Sequence, residues 1–211
     1  MMSPKSSEKA TEFLEKSGVK VLTLTKATEC DEHTVFIDSG ENIKTGMIIW
    51  TAGIKGNLIE GINNDSYVKN GRLIVDRNSR VKGYENIFAL GDISFMMEGK
   101  YSNGHPQVAQ VAIQQAKLLS RNLKKFELNK TPEEFRYKDL GTMATIGKNL
   151  AVVELPFIHF HGLFGWLVWM FIHLMSIVGV KNKLVIFINW AWKYFTYDQS
   201  TRLILRPKGK S

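Results

Sequence analysis

A glycine and an aspartate close the short apolar run Ile87-Phe88-Ala89-Leu90, and an alanine- and glutamine-rich segment follows from Pro106. Gly91 has no side chain, so backbone can come close to a phosphate or sugar there, and Asp92 at a strand's carboxyl end can accept hydrogen bonds from ligand hydroxyls. Alone, such a pair is common and equally describes a turn with a helix-capping aspartate. The segment after Pro106 adds a helix N-terminus, whose unpaired N–H groups and partial positive charge suit the electron-rich end of a reduced flavin.

Further along that helix Gln110 and Gln114 lie four residues apart, on one face, with Ala109 and Ala112 keeping the surface beside them low. An amide pair can hydrogen-bond the carbonyls of a quinone without adding charge. The alternative is a good helix with a solvated side. A third candidate is Thr51-Ala52-Gly53, small residues after the apolar run "GMIIW", where backbone could approach a ligand or simply turn. His159, His161 and His173 show no i,i+4 pairing and no neighbouring carboxylate, so no metal site is expected.

The elements that must position these residues are read from punctuation and periodicity. "SSEKATEFLEKSG" reads as a helix capped by Ser6 or Ser7, with Ala10, Phe13 and Leu14 as its apolar stripe and Gly18 as its stop. "VKVLTLTKATEC" and "HTVFID" read as strands, followed by an Asp38-Ser39-Gly40 turn, and residues 46–57 as a buried apolar strand with its turn. "GRLIVD" is another strand, and "IFAL" a short buried one ending at Gly91. The best helix runs from Pro106 to about Phe126, with Lys117, Arg121, Lys124 and Lys125 in its second half, where they complement the helix dipole. Residues 135–155 read as two or three strands with turns at Gly141 and Gly147. The lone Cys30, within a strand, reads as a small core residue, and one cysteine excludes any internal disulfide.

Charge and aromatic residues are unevenly spread over the 211 residues. From Leu155 onward, Lys181, Lys183, Lys193, Arg202, Arg206, Lys208 and Lys210 face Asp198 alone, so most of the net charge of +8 lies here together with four of the five Trp. The basic residues flank long apolar runs instead of forming a hydrophilic stripe, which favours an anionic membrane surface over nucleic acid. No Lys, Arg, Asp or Glu interrupts Leu155–Val180, yet Pro156, Gly162, Gly165 and three histidines argue against one clean span, and residues 184–195 are too short to cross a bilayer. Two helices lying in the interface plane are expected, with core helices of a soluble domain as the alternative. The N-terminus carries no signal segment, which points to a protein that faces the cytoplasm.

"MIIWTAGI", "YENIFALGD", "AQVAIQQA" and "GTMATIG", in this order and spacing, resemble the C-terminal half of type II (non-proton-pumping) NADH:quinone oxidoreductases, of the two-dinucleotide-binding-domain flavoproteins. "IFALGD" is only as specific as that superfamily. The 109–114 pattern followed by two aromatic-rich apolar helices is far more specific. The resemblance implies an α/β fold: the tail of an NADH-binding domain (1–40), the C-terminal part of a Rossmann-like FAD-binding domain (41–130), and a small α+β quinone-site and membrane-anchoring region (131–211).

It implies electron transfer from NADH through FAD to a membrane quinone, at the cytoplasmic face of the cell membrane. Thr51, Ala52, Gly53, Gly91, Asp92, Gln107, Val108 and Ala109 would line the FAD, and Gln110, Val111, Gln114 and His159 the quinone, with Ala109 and Val111 giving backbone contacts. Trp166, Trp169, Phe171, Trp190, Trp192, Lys181 and Lys183 would meet the anionic membrane.

There are two departures. Neither glycine-rich dinucleotide fingerprint occurs in the chain, so it reads as a C-terminal fragment with weak or absent FAD binding and no activity alone. Where the family often has a lysine near the flavin, "FIHFHGLF" has His159, which carries charge only when protonated. A quinone reductase with another donor, such as sulfide, would need redox cysteines near the flavin, and Cys30 stands alone. A non-catalytic membrane-docking module is the remaining alternative. Exposed apolar helices also predict self-association, as a dimer through 160–195 or by exchange of unpaired strands, and no nucleic acid partner.

Overall fold

The computed structural model describes residues 2–177 and 179–196. The basic residues Arg202, Arg206, Lys208 and Lys210, with Asp198, lie outside the described residues. The chain divides into two compact units, one joining the residues up to Leu22 with those from Gly141 onward, the other spanning Thr23–Leu140.

The first unit is built on an antiparallel sheet with helices on it. Helix α1 (Pro4–Lys16) is capped by Ser3, whose hydroxyl accepts from the Ser6 N–H, not by Ser6 or Ser7 as expected. The reason is Pro4: its preset φ and missing N–H suit the first helical position, so the helix begins there. Ser3 also gives its N–H to both Glu154 oxygens at 3.1 and 3.0 Å and its hydroxyl to one of them. Burial alone would raise the Glu154 pKa, but these Ser3 hydrogen bonds hold it down at about 2.

The second unit's two described sheets precede this sheet in the chain, so its strands are numbered last. Strands β6 (Thr142–Thr145), β7 (Ala151–Glu154) and β8 (His159–His161) pair in that order, with Thr142 opposite Glu154 and Val152 opposite His161. Ala151, Val152 and Val153 are fully buried, since both α1 and helix α3 (Gly162–Ser176) pack on β7. Gly165 makes the α3 contact possible: a Cβ there would sit 2.8 Å from the Ala151 carbonyl oxygen. Helix α4 (Val180–Thr196) follows α3. Two interfacial helices were expected from Leu155 onward; residues 155–161 instead form a turn and β8, and the helices begin later.

In the second unit, β1 (Ala27–Cys30), β2 (Thr34–Ile37) and β3 (Asn42–Lys44) form an antiparallel meander. The first strand is shorter than its apolar run, and Cys30 is exposed, not part of a core. β4 (Leu73–Val75) and β5 (Ser94–Met96) pair in parallel, Leu73 opposite Ser94. Leu73, Val75, Val81, Ala89, Met96, Leu118 and Phe135 make the core around them. Helix α2 runs Ala109–Glu127, with Val111, Gln115, Leu118 and Asn122 on its buried stripe. It starts three residues after the expected Pro106, and Val108 takes the N-cap position in extended conformation.

Two expected strands do not form. Residues 46–57 carry no strand, and Met47, Ile49 and Trp50 are exposed, because no described strand pairs with them. The "IFAL" run makes only a bridge, Arg80 to Phe88, with the Ala89 N–H bonded to the Ser79 carbonyl. Residues 135–140 are not a strand either: Arg77 and Glu98 bond the backbone of Phe135 and Tyr137, and side chains of α2 bond that of Lys138 and Leu140 and of the preceding Glu133. Asn122 exchanges two hydrogen bonds with Glu133, Gln114 exchanges two with Lys138, and Gln110 accepts from the Leu140 N–H at 3.0 Å. Three amides thus zip the returning chain to the helix as a neighbouring strand would.

Candidate functional site

The Gly91–Ile93 segment is a single 3-10 turn between the Arg80–Phe88 bridge and β5. Gly91 is buried in the left-handed region at φ +70, and a Cβ on it would meet the Ala112 Cβ at 3.1 Å. The turn therefore lies against the first turn of α2 and only glycine fits there. Gln115, fully buried one helical turn further on, accepts the Gly91 N–H at 2.7 Å, and the Ser94 hydroxyl donates to the Gly91 carbonyl at 2.9 Å. Gln107 reaches back to donate to the Asp92 carbonyl at 3.1 Å. The Asp92 carboxyl is left exposed above this clamp.

Beneath the turn lies a buried cation. The Arg72 guanidinium, 5% exposed, donates to the Ser94 carbonyl through Nε (3.1 Å) and Nη2 (2.6 Å) and to the His105 carbonyl (3.1 Å). It also lies 5.5 Å from the Phe95 ring centre. Burial lowers its pKa, and the Asp92 charge opposes that shift. Arg72 thereby ties β5 to the chain that leads into α2.

Glu98 is the second anchor of that lead-in chain. It accepts from His105 Nε2 (2.9 Å), Arg77 Nη2 (3.2 Å) and the Tyr137 N–H (3.0 Å), and Arg77 also donates to the Phe135 carbonyl. Burial works against its ionised form, but the Tyr137, His105 and Arg77 contacts outweigh it and lower the Glu98 pKa. Tyr101, Phe135 and Tyr137 enclose the His105 ring at 4.9, 5.3 and 5.7 Å. Burial, then the Asp139 charge and Tyr101, push the Tyr137 hydroxyl up to about 12.

The structure brings together Gly91, Asp92, Gln107, Val108 and Ala109 at the start of α2, with Gln110 and Gln114 on one face of the same helix. Val111 is buried in the core, which leaves it no exposed side chain to offer. Gln114 spends one donor and one lone pair on Lys138 and retains one of each for a ligand. Thr51, Ala52 and Gly53 are exposed, in a tight turn where the Gly53 N–H meets the Thr51 carbonyl at 2.9 Å. His159 is exposed in β8, in the other unit, opposite Glu154. Among the described residues no group of His, Cys, Asp and Glu could hold a metal ion.

Arg72, Gln115 and the Glu98–His105 pair are not among the residues singled out from sequence. Gln115 had a visible signal: with Val111, Leu118 and Asn122 it completes the i, i+4, i+7, i+11 stripe of α2, a polar residue at a core position. Arg72 gave no such signal, because its partners Ser94 and His105 are distant in the chain.

The chain is similar to known proteins. Residues 1–116 match the family described as pyridine nucleotide-disulphide oxidoreductase, and residues 140–196 match the NDH2 C-terminal domain. A type II NADH:quinone oxidoreductase of Mycobacterium tuberculosis is 33% identical over 204 residues, covering 90% of this chain and 42% of that protein. The chain thus spans about two fifths of that relative's length. NDH2 from Plasmodium falciparum, solved in complex with NADH, matches with a TM-score of 0.79 at 19% identity, over 92% of this chain and 55% of its own. The sulfide:quinone oxidoreductase of Aquifex aeolicus matches at 0.64 and 14% identity, over 93% and 50%. At such identities the two structures attest a shared fold.

Proposed function

The chain belongs to the pyridine nucleotide-disulphide oxidoreductase family, and from that premise we propose that it supplies the flavin-ring and quinone end of a membrane-associated NADH:quinone oxidoreductase. The observation that carries this reading is the Gly91–Asp92 turn clamped by Gln115 and Gln107 against the first turn of α2. Its residues fit one side of FAD. The side-chain-free Gly91 lets the turn sit tight against Ala112 of α2, the exposed Asp92 carboxylate would accept ribityl hydroxyls, and Gln107, Val108 and Ala109 would lie beside the ring at the positive end of the helix.

The pyrophosphate side does not fit. No G-x-G-x-x-G motif occurs in the sequence, and Thr51, Ala52 and Gly53 offer only an exposed turn. When bound, FAD supplies the relay of two electrons from NADH to quinone. The chain's part is to hold the turn and to leave one amide N–H of Gln114 to donate to a quinone carbonyl beside Gln110.

No described helix is long and apolar enough to cross a membrane. We read α3 and α4 as lying in the interface of an anionic membrane at the cytoplasmic face, through Trp166, Trp169, Phe171, Trp190 and Trp192, with Lys181 and Lys183 toward the headgroups. In lipid-free buffer the same faces would drive self-association.

Stopped-flow spectroscopy of the purified chain mixed with FAD tests the reading. Chemically reduced FAD should pass electrons to a short-chain quinone faster with the chain than without it, while NADH should be oxidised no faster than by free FAD. No acceleration with quinone would overturn the assignment of the quinone end, and robust NADH turnover would overturn the division of the cofactor site.

A further inference from the structure

Helix α4 presents an unusual balance. Its 17 residues include Val185, Phe187, Ile188, Trp190, Trp192 and Phe195, yet none of its side chains is buried. α3 buries only Gly165. Between the two helices lies a groove of about 680 Å³, within the roughly 300–1,000 Å³ range of small-molecule sites. Leu163, Leu167, Met170 and Ala191 line it, with Trp166, Trp169 and Trp190 among its aromatic walls.

Ring contacts join the two walls. Trp169 stacks on Trp190 at 6.1 Å, and Trp166 meets Tyr194 at 5.6 Å. The lining carries two cations, Lys148 and Lys193. Lys148, from the β6–β7 turn, donates to the Tyr194 carbonyl at 3.0 Å in the last turn of α4 and lies 4.3 Å from the centre of its ring, and Lys193 is the adjacent residue. The carbonyl contact has a plain cause: a helix C-terminus leaves its final carbonyls unpaired and favours a cation.

Charge decides what covers such a groove. Between residues 155 and 196 there are three lysines and no acidic residue. The charged residues of the groove lining are both lysines, and a second copy's 155–196 hairpin offers them no carboxylate, which leaves self-association to the outer apolar faces of the helices. An apolar chain that ends in a phosphate satisfies both the aromatic walls and the lysine pair.

We propose that the α3–α4 groove is a binding site for one acyl chain of an anionic phospholipid, with the lipid phosphate held by Lys148 and Lys193. This rests on the membrane reading above but adds a defined, saturable site to it. A lipid seated there would cover α4 from within the hairpin and orient the outer apolar faces of both helices toward the bilayer.

The probe is lysophosphatidylglycerol with a brominated chain, titrated below its micelle concentration into the purified chain. Three of the five tryptophans line the groove, so fluorescence should be quenched to a saturating fraction, at one lipid per chain. The brominated lysophosphatidylcholine should bind at least tenfold more weakly, and Lys148→Gln with Lys193→Gln should erase that preference. Ala191→Phe, which fills the groove, should abolish saturable quenching while leaving co-sedimentation with phosphatidylglycerol vesicles intact. Leu167→Phe, narrowing the groove from α3, should weaken the site in the same sense if Ala191→Phe does not fold. Equal affinity for the two headgroups, quenching without saturation, or an unchanged response in a folded groove-filling variant would each overturn the site. Wild-type chain that binds the lysolipid but not vesicles would overturn the membrane reading instead.

Discussion

Helices α2 and α4 are of similar length, 19 and 17 residues, and are held in opposite ways. α2 buries Val111 and Leu118 for packing, Gln115 to clamp the Gly91 turn, and Asn122 to fasten the returning chain. α4 has no buried residue, and among the described residues Trp190 stacks on Trp169 of α3 while Tyr194 meets Trp166, Phe195 and Lys148. Most helical stability comes from packing of one face. By that measure α2 is packed among the described residues, whereas α4 has no buried side chain among them.

The sharpest way to break this contrast is truncation in each region. Met96→Ala, at a fully buried position beside α2, should cost about 2–5 kcal/mol in urea denaturation. Gln115→Leu should cost about 1–3 kcal/mol, because it leaves the buried Gly91 N–H without an acceptor, and native-state hydrogen exchange should report that amide opening first. If Gln115→Leu were neutral, the clamp would be packing alone.

Acid unfolding sharpens the account of the first unit. The Glu154 pKa is lowered from 4.5 to about 2, so its contribution to stability is fully present above about 4.5 and is lost as pH falls from there through 2. Glu154→Gln should flatten the pH dependence of the melting temperature in that window, and an unchanged acid limb would remove the Ser3 contact from the account. The smallest effect belongs to α4. Ile188→Ala, at a side chain 62% exposed, should stay within about 0.5 kcal/mol in lipid-free buffer. A loss as large as that of Met96→Ala would end the comparison.

The two regions also differ in how far their sequences could be read. The Gly91–Asp92 turn, the existence of α2 and the shared face of Gln110 and Gln114 all follow from local spacing. So does the pair of apolar helices, since the absence of charge before Lys181 is visible by inspection. The start of α3 was hidden because His159–His161 pairs with β7, a contact that no local pattern announces.

Residues 46–57 show the opposite failure. Their apolar run has the composition of a buried strand, but a strand exists only with a partner, and none of the described strands pairs there. The amides of α2 were legible as a pair but not by their work. Their partners Lys138 and Leu140 sit in a stretch that looks strand-like by itself and takes its hydrogen bonds from a helix instead. Arg72 was invisible for the same reason, being defined by partners 22 and 33 residues away.

The most direct measurement is the affinity of the purified chain for riboflavin against FAD, followed by flavin fluorescence. Asp92 and the start of α2 contact only the ribityl and ring portion in this account, so the two ligands should bind with similar affinity, and Asp92→Ala should weaken both about tenfold, the loss of a charged hydrogen bond. FAD bound far more tightly than riboflavin would reveal a phosphate cradle within these 211 residues and contradict the one-sided site.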